Sequence, residues 1–258
     1  MTLAAVDRIG GMLALALRVV AAIVRPPFAW RRETAIFLST MLVATLPAIA
    51  VSIALWGFSG PGLQAGNFLV LFGAPDRAGG FMVVAILREF GTFVTATVVA
   101  GVAGTALTAE LGARKVRGEI DALAVLGLDP VAALVAPRVL ALVLAMVGVD
   151  LLALLCGVGG GYVASVLVLG STTGAFFDSF FANTTYVDLV ASLLKVAIFG
   201  GLIGIICAWH GLHASGGPEG VGRAVNRAVV GCLIAIFLVN LVFTQGLLAA
   251  FPGVGVLR

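Results

Sequence analysis

Residues 34–57, TAIFLSTMLVATLPAIAVSIALWG, decide the fold, because no charged side chain occurs anywhere from Thr34 to Pro75. A helix of about 20 apolar residues crosses the ~30 Å hydrocarbon layer of a bilayer, so this stretch is a membrane span. Residues 81–108, 139–167, 187–209 and 225–250 are four more stretches of the same kind. Lipid offers backbone groups no partners, and no alternating pattern marks barrel strands, so every span is helical. The composition agrees: 258 residues, 61% hydrophobic, 10% charged, with a mean hydropathy of +1.19. Soluble domains carry about 25% charged residues, so a soluble globular fold is excluded. The 34 glycines follow no triplet period, which excludes collagen, and the hydrophobicity excludes disorder. The expectation is a single all-α integral membrane domain over 1–258, with five transmembrane helices. Gly57-Phe58-Ser59-Gly60-Pro61-Gly62 is expected to form the loop after the first span.

Residues 1–33 behave differently. At about 100° per residue, Asp7, Arg18 and Arg25 share a side with Ala4, Gly11 and Ala22, while Val6, Ile9, Leu13 and Val20 lie opposite. That pattern fits an amphipathic helix in the membrane interface rather than a sixth span. No small-residue cleavage site follows it, only Arg25-Pro26-Pro27, so it is expected to be retained. Cys156, Cys207 and Cys232 lie within apolar stretches, an odd number with neither a disulfide framework nor metal-ligand spacing. The net charge of +3 gives a pI near 9.1, but the basic residues flank spans and set orientation; nucleic-acid binding is not expected. Arg8, Arg18, Arg25, Arg31, Arg32, Arg114, Lys115, Arg117, Arg138, Arg223 and Arg227 fall on one side, against Arg77 and Arg258 on the other. The N-terminus and the 109–138 and 210–224 connections are thus expected in the cytoplasm, and the C-terminus outside.

The longest of these connections holds the densest charge. Over residues 110–127 the pairs Glu110/Arg114, Lys115/Glu119 and Arg117/Asp121 stand at i,i+4, where opposite charges support a surface helix. Leu111, Ile120, Leu123 and Leu126 supply apolar material, Gly127 can end the helix, and Asp129-Pro130 can start the next element. Such a helix either docks a cytoplasmic partner or is simply solvated.

Four segments here carry a resemblance: Ala109-Glu110-Leu111-Gly112, Glu119-Ile120-Asp121-Ala122-Leu123, Val125-Leu126-Gly127-Leu128-Asp129-Pro130 and Ala136-Pro137-Arg138. They resemble the signature of the MlaE/YrbE family, the permease subunits of Mce-associated lipid ABC systems. Residues 216–226, GGPEGVGRAVN, resemble that family's second cytoplasmic motif in its actinobacterial form. The likeness runs from about residue 30 to 250 and implies a definite architecture. Residues 110–127 would be the coupling helix that docks on a cytoplasmic ATPase dimer, with Glu110, Arg114, Arg117, Glu119, Asp121, Leu123, Leu126 and Gly127 as its working residues. Two permeases would pair around a lipid cavity, beneath a tunnel of Mce proteins. This chain has no G-x-x-x-x-G-K-[ST] motif, so ATP and Mg would be bound by the partner, and no cofactor or catalytic residue is expected here.

Charges inside spans are expensive and mark candidate sites. Arg88 and Glu89 open the second span, Asp150 sits within the third, and Asp188 and Lys195 lie in the outer part of the fourth. Arg88, Glu89 and Lys195 match positions where the family places charges near its lipid cavity. Glu89 is expected to face Lys195, as a structural ion pair or as a polar wall for a lipid headgroup. Two departures make the cavity less charged: Val102 stands where many relatives have arginine, and Asn240 where they have an acid. A distinct paralogue as the second permease would supply what is missing.

Gly157–Gly161 and Gly200–Gly204 have the spacing of close helix contacts. His210 and His213 lack the companions of a metal site, and the glycines of 216–222 read as a turn into the fifth span. The functional expectation is a plasma-membrane permease that moves a hydrophobic lipid, of fatty acid, mycolic acid or sterol class and in the import direction, on a partner's ATP hydrolysis. The rivals are an ion-coupled secondary transporter using Glu89, Asp150 and Lys195, and a membrane scaffold without transport.

Overall fold

The computed structural model describes residues 2–25 and 30–251. Pro26, Pro27 and Arg258 lie outside the described residues, as do the side chains of Ala4 and Val6. Among the described residues there is no strand. The α-helices are α1 (Thr2–Val24), α2 (Trp30–Gly57), α3 (Gly66–Leu71), α4 (Ala78–Met82), α5 (Gly91–Val99), α6 (Thr105–Val116), α7 (Glu119–Val125), α8 (Ala136–Tyr162), α9 (Thr173–Asn183), α10 (Tyr186–Leu212) and α11 (Gly217–Ala250). Wider π-helical turns at Phe58–Ala65, Val83–Phe90, Ala100–Gly104, Val131–Val135 and Val163–Val168 extend or join several of them. Five runs are long and apolar enough to cross a membrane: Trp30–Leu71, Pro75–Val116, Val131–Val168, Tyr186–Leu212 and Gly217–Ala250. The chain is therefore an all-α, multi-pass membrane protein, and α1 is not among these five runs.

The expected loop at residues 57–62 is instead helix, as Phe58–Ala65 continues α2 into α3. None of its glycines has a positive φ; the chain turns at Gly73, with φ 68°. Gly57 and Gly62 serve close approach. A Cβ on Gly57 would lie 2.2 Å from the carbonyl oxygen of Gly157, and one on Gly62 would lie 2.6 Å from Cβ of Ala164. Pro61 lacks an N–H, and the wider π turn accommodates it within the helix.

The chain divides into two compact units, each drawing on several helices. One comprises Leu46–Val98, Met146–Ala197 and Ile236–Arg258. Its apolar core is built from Met82, Val83, Ile86, Leu154 and Phe176, with Trp56 and Tyr162 packed around them. Glycine spacing sets how closely its helices meet: a Cβ on Gly160 would stand 2.1 Å from the carbonyl oxygen of Ala54, whereas one on Gly159 would meet nothing within 4 Å. Gly160→Ala is thus expected to cost about 1–3 kcal/mol through overpacking and Gly159→Ala almost nothing. Thermal unfolding of the two purified variants checks this, and equal midpoints would refute it.

The other unit comprises Met1–Thr45, Val99–Ala145 and Ile198–Ala235. Here α1 buries Leu15 and Val19 and comes so close to Trp209 that a Cβ on Gly11 would overlap its ring. Ile9, Leu13 and Val20, the expected apolar face, are exposed, while Arg18 on the charged side pairs with Asp129 at 2.8 Å. Buried small residues again permit contact, with Gly200 and Gly204 lying against Val143 and Val139. The thiols of Cys207 and Cys232 are free and 3.7 Å apart. Gly216 and Gly217, with φ of 88° and 70°, make the turn into α11.

Candidate functional site

Two groups of polar residues stand out, one in each unit. The first lies among the spans and centres on Lys195, which is 1% exposed. An ammonium has three donors, and all three are engaged. Nζ donates to the main-chain oxygen of Arg88 at 2.7 Å, to Oδ1 of Asn240 at 2.9 Å and to Oγ1 of Thr244 at 3.1 Å. Arg88 lies in the π-helical stretch Val83–Phe90, where wider turns let a carbonyl accept a bond from outside its own helix. Nζ also stands 5.6 Å from the centre of the Phe243 ring.

The expected direct pairing of Glu89 with Lys195 is replaced by a relay through Asn240. Its Nδ2 donates to Oε2 of Glu89 at 2.9 Å, while its Oδ1 accepts from Lys195. The neutral amide offers a donor to the carboxylate and an acceptor to the ammonium at once. An acid at 240 would accept from Lys195 but repel Glu89, so the departure noted at this position has a physical role.

The side chain of Arg88 makes a separate pair. Its Nε donates to Oδ1 of Asp188 at 2.7 Å, and Nη2 reaches the main-chain oxygen of Asn183 at 3.3 Å. Asp188 is fully enclosed and also accepts from the backbone N–H and hydroxyl of Thr185, both at 2.8 Å. Asp150, likewise fully buried, accepts from the Ser192 hydroxyl at 2.6 Å. Its other oxygen has no partner among the described residues. Sequence reading named Asp150 and Asp188 without partners and missed Thr185, Ser192 and Thr244. One signal was available for Asp188: an ionised acid in a span favours a cationic partner, and Arg88 had no acid matched to it.

The second group is the 110–127 segment. It is not one helix, because α6 ends at Val116, Gly118 takes φ 77°, and α7 begins at Glu119. That break re-pairs the charges. Glu110 and Arg114 keep their i,i+4 contact at 3.1 Å. Lys115 turns instead to Asp121 at 2.7 Å, and Arg117 to Glu119 at 2.6 Å, with Arg114 3.8 Å from Glu119. The bond from Arg117 holds the Glu119 carboxyl below the usual carboxylate range, so this brace is complete at neutral pH and is lost as pH falls below that range. Glu110 is held further by Arg138, a bidentate clamp at 2.5 and 3.2 Å, and Arg138 also lies over the Phe37 ring. Glu110 and Arg114 thus brace the segment from within.

The braced charges leave an apolar tip. Val125 is 87% exposed, Leu126 75% and Leu128 52%, whereas Leu123 is half-buried and Ile120 buried. Gly127, with φ 77°, ends the segment as expected. Sequence reading chose Leu123 and Leu126 but missed Val125 and Leu128.

A multi-pass protein with a buried lysine-centred network in one unit and an exposed, charge-braced apolar tip in the other has the make-up of a membrane permease. Comparison with known proteins names the kind: the family model described as Permease MlaE matches residues 36–246, and the chain belongs to that family. It is 36% identical over 213 residues to a "Probable ABC transporter permease protein" of Synechocystis, covering 81% of this chain and 80% of that one. A protein of the same description from Rickettsia typhi is 33% identical over 203 residues, 78% and 77% of the two chains. The Haemophilus influenzae "Intermembrane phospholipid transport system permease protein MlaE" is 29% identical over 184 residues, 71% and 70%.

Proposed function

We propose that this chain is the membrane-embedded subunit of an ABC-type lipid transporter in the plasma membrane, with the 110–127 segment docking on a separate cytoplasmic ATPase. The observation that carries the reading is the exposed tip of Val125, Leu126 and Leu128 beyond a set of internal ion pairs. Exposed apolar clusters rimmed by charge are characteristic of docking sites. The relatives' descriptions as ABC transporter permeases support it, and the placement of basic residues supports a cytoplasmic side for this segment. The cargo is a membrane lipid. The Haemophilus relative is named for phospholipid, while the actinobacterial form of the 216–226 motif argues for fatty acid, mycolic acid or sterol, taken up rather than exported. A paralogous second permease and Mce proteins complete the assembly. Closure of the ATPase would move the segment and, through rigid spans, change the shape of the cavity.

An ion-coupled transporter needs intramembrane charges open to a pathway, yet Lys195 spends its three donors inside the protein. Purification of the tagged chain from its own cells is expected to bring down an ATPase whose turnover in nanodiscs rises with added lipid. Phospholipid, fatty acid and sterol are compared in separate arms. Recovery of the intact chain without any ATPase, or an ATPase indifferent to every lipid, would overturn the proposal.

A further inference from the structure

We infer that the unit containing α1 carries a lateral binding site for one anionic phospholipid, with its headgroup on an arginine cluster and an acyl chain along α1. The inference is independent of which lipid is transported. The headgroup end is a polar cavity of about 420 Å³ lined by Arg8 of α1, Trp209, His210 and His213 at the end of α10, and Arg223 and Arg227 of α11. Three guanidiniums converge there from two helices. Among the described residues neither Arg8 nor Arg227 has an ion-pair partner, and Arg223 has only a long contact of 3.7 Å to the exposed Glu219. The ring of His213 lies against Trp209, and its Nδ1 is 2.8 Å from the Trp209 carbonyl oxygen. That carbonyl requires a proton on Nδ1, which leaves Nε2 for another partner.

Like charges gathered around a cavity that no acid lines repel one another, and an anion relieves that repulsion. Arginine forks suit phosphate oxygens in particular. The cavity alone would fit any small phosphate. What selects a lipid is a neighbouring apolar groove, lined by the next residues of the same helices.

Ile9 follows Arg8 on α1, and Ile205 and Ile206 lie one helical turn before Trp209 and His210 on α10. From there an apolar groove of about 510 Å³ runs between α1 and the helices α8 and α10, with Leu13, Val20, Val143, Gly201 and Leu202 among its walls. Its α1 wall extends from Ile9 to Ile23, about 20 Å at 1.5 Å per residue. An acyl chain that fills one leaflet reaches about 15 Å, so a groove of this length can hold one. Gly201 leaves its floor open, since a Cβ there would meet only Val143, at 3.9 Å. A cationic cup beside an apolar trough on the same two helices, α1 and α10, is complementary to an anionic amphiphile, whereas a free phosphate or a neutral lipid would use only one of the two.

The test is native mass spectrometry of the full-length permease released from nanodiscs of dioleoyl phosphatidylglycerol mixed equally with dioleoyl phosphatidylcholine. Their acyl chains are identical, so only the headgroup differs, anionic in phosphatidylglycerol and zwitterionic in phosphatidylcholine. Retention of phosphatidylglycerol is expected to exceed that of phosphatidylcholine by about tenfold or more, the size expected for charge-assisted hydrogen bonds. Combining Arg8→Gln with Arg227→Gln, both at exposed positions, should remove the preference. Gly201→Leu should fill the groove and reduce phosphatidylglycerol retention with the arginines intact. Equal retention of the two lipids by the unaltered protein, or displacement of phosphatidylglycerol by excess inorganic phosphate, would overturn the inference.

Discussion

Lys195→Met is expected to leave the protein folded poorly or not at all, with a loss of about 3–5 kcal/mol, the size seen when one partner of a buried charge pair is removed. The side chain is 1% exposed and satisfies three acceptors from two other segments. Methionine fills most of its volume, so the loss is electrostatic rather than steric. It leaves the Arg88 carbonyl and the Asn240 and Thr244 oxygens without their donor, and Glu89 with no cation behind the Asn240 relay. Adding Glu89→Gln should therefore recover part of the loss, because it removes the uncompensated carboxylate. The measurement is the yield of monodisperse protein in detergent together with its thermal midpoint. A Lys195→Met protein as stable as the parent would show that the network is incidental. A charge swap of positions 89 and 195 should not restore stability, since a carboxylate at 195 would face the Arg88 main-chain oxygen, which has no proton to donate.

Val125→Asp together with Leu126→Asp is expected to abolish association with the ATPase while leaving the permease folded. Both side chains are exposed, at 87% and 75%, so their burial in the isolated chain is small and so is the cost of replacing them. At a docked interface a carboxylate in place of an apolar anchor leaves an unpaired buried charge. Anchors of this kind are worth about 2 kcal/mol or more each, so the double change should weaken binding at least several-hundredfold. Co-purification and lipid-stimulated ATP hydrolysis report the loss, and an unchanged thermal midpoint shows that the fold survives. Full ATPase coupling in this variant would refute the docking assignment. Altering Glu119 or Asp121 is a less direct probe, because both are tied to Arg117 and Lys115 of the same segment.

The five spans could be read from sequence because charge is excluded from lipid, and a long uncharged run such as 34–75 has no other explanation. Its internal punctuation could not. Glycine and proline at 57–62 suggest a turn in water, but here Gly57 and Gly62 are spaces cut for a neighbouring helix, a property of tertiary packing. The charge-rich segment shows the reverse case. Every i,i+4 pair was visible, yet one glycine with a positive φ broke the helix and gave two of the three pairs new partners. At the buried network, Lys195, Glu89, Arg88 and Asn240 were each recognisable as unusual. Their order of contact was not, because it depends on a carbonyl made accessible by a π turn.

That carbonyl belongs to a residue whose side chain is bound as well. Arg88 holds Asp188 through its guanidinium and Lys195 through its main-chain oxygen. These two partners stand seven residues apart on α10, two turns along one face and about 10 Å. Pinned at both points by a single residue, α10 cannot roll about its axis or slip by a turn without breaking an ionic bond and a lysine hydrogen bond together. Arg88 acts as a cotter through that helix, so α10 between Asp188 and Lys195 and the Arg88 segment must travel as one piece in any working cycle.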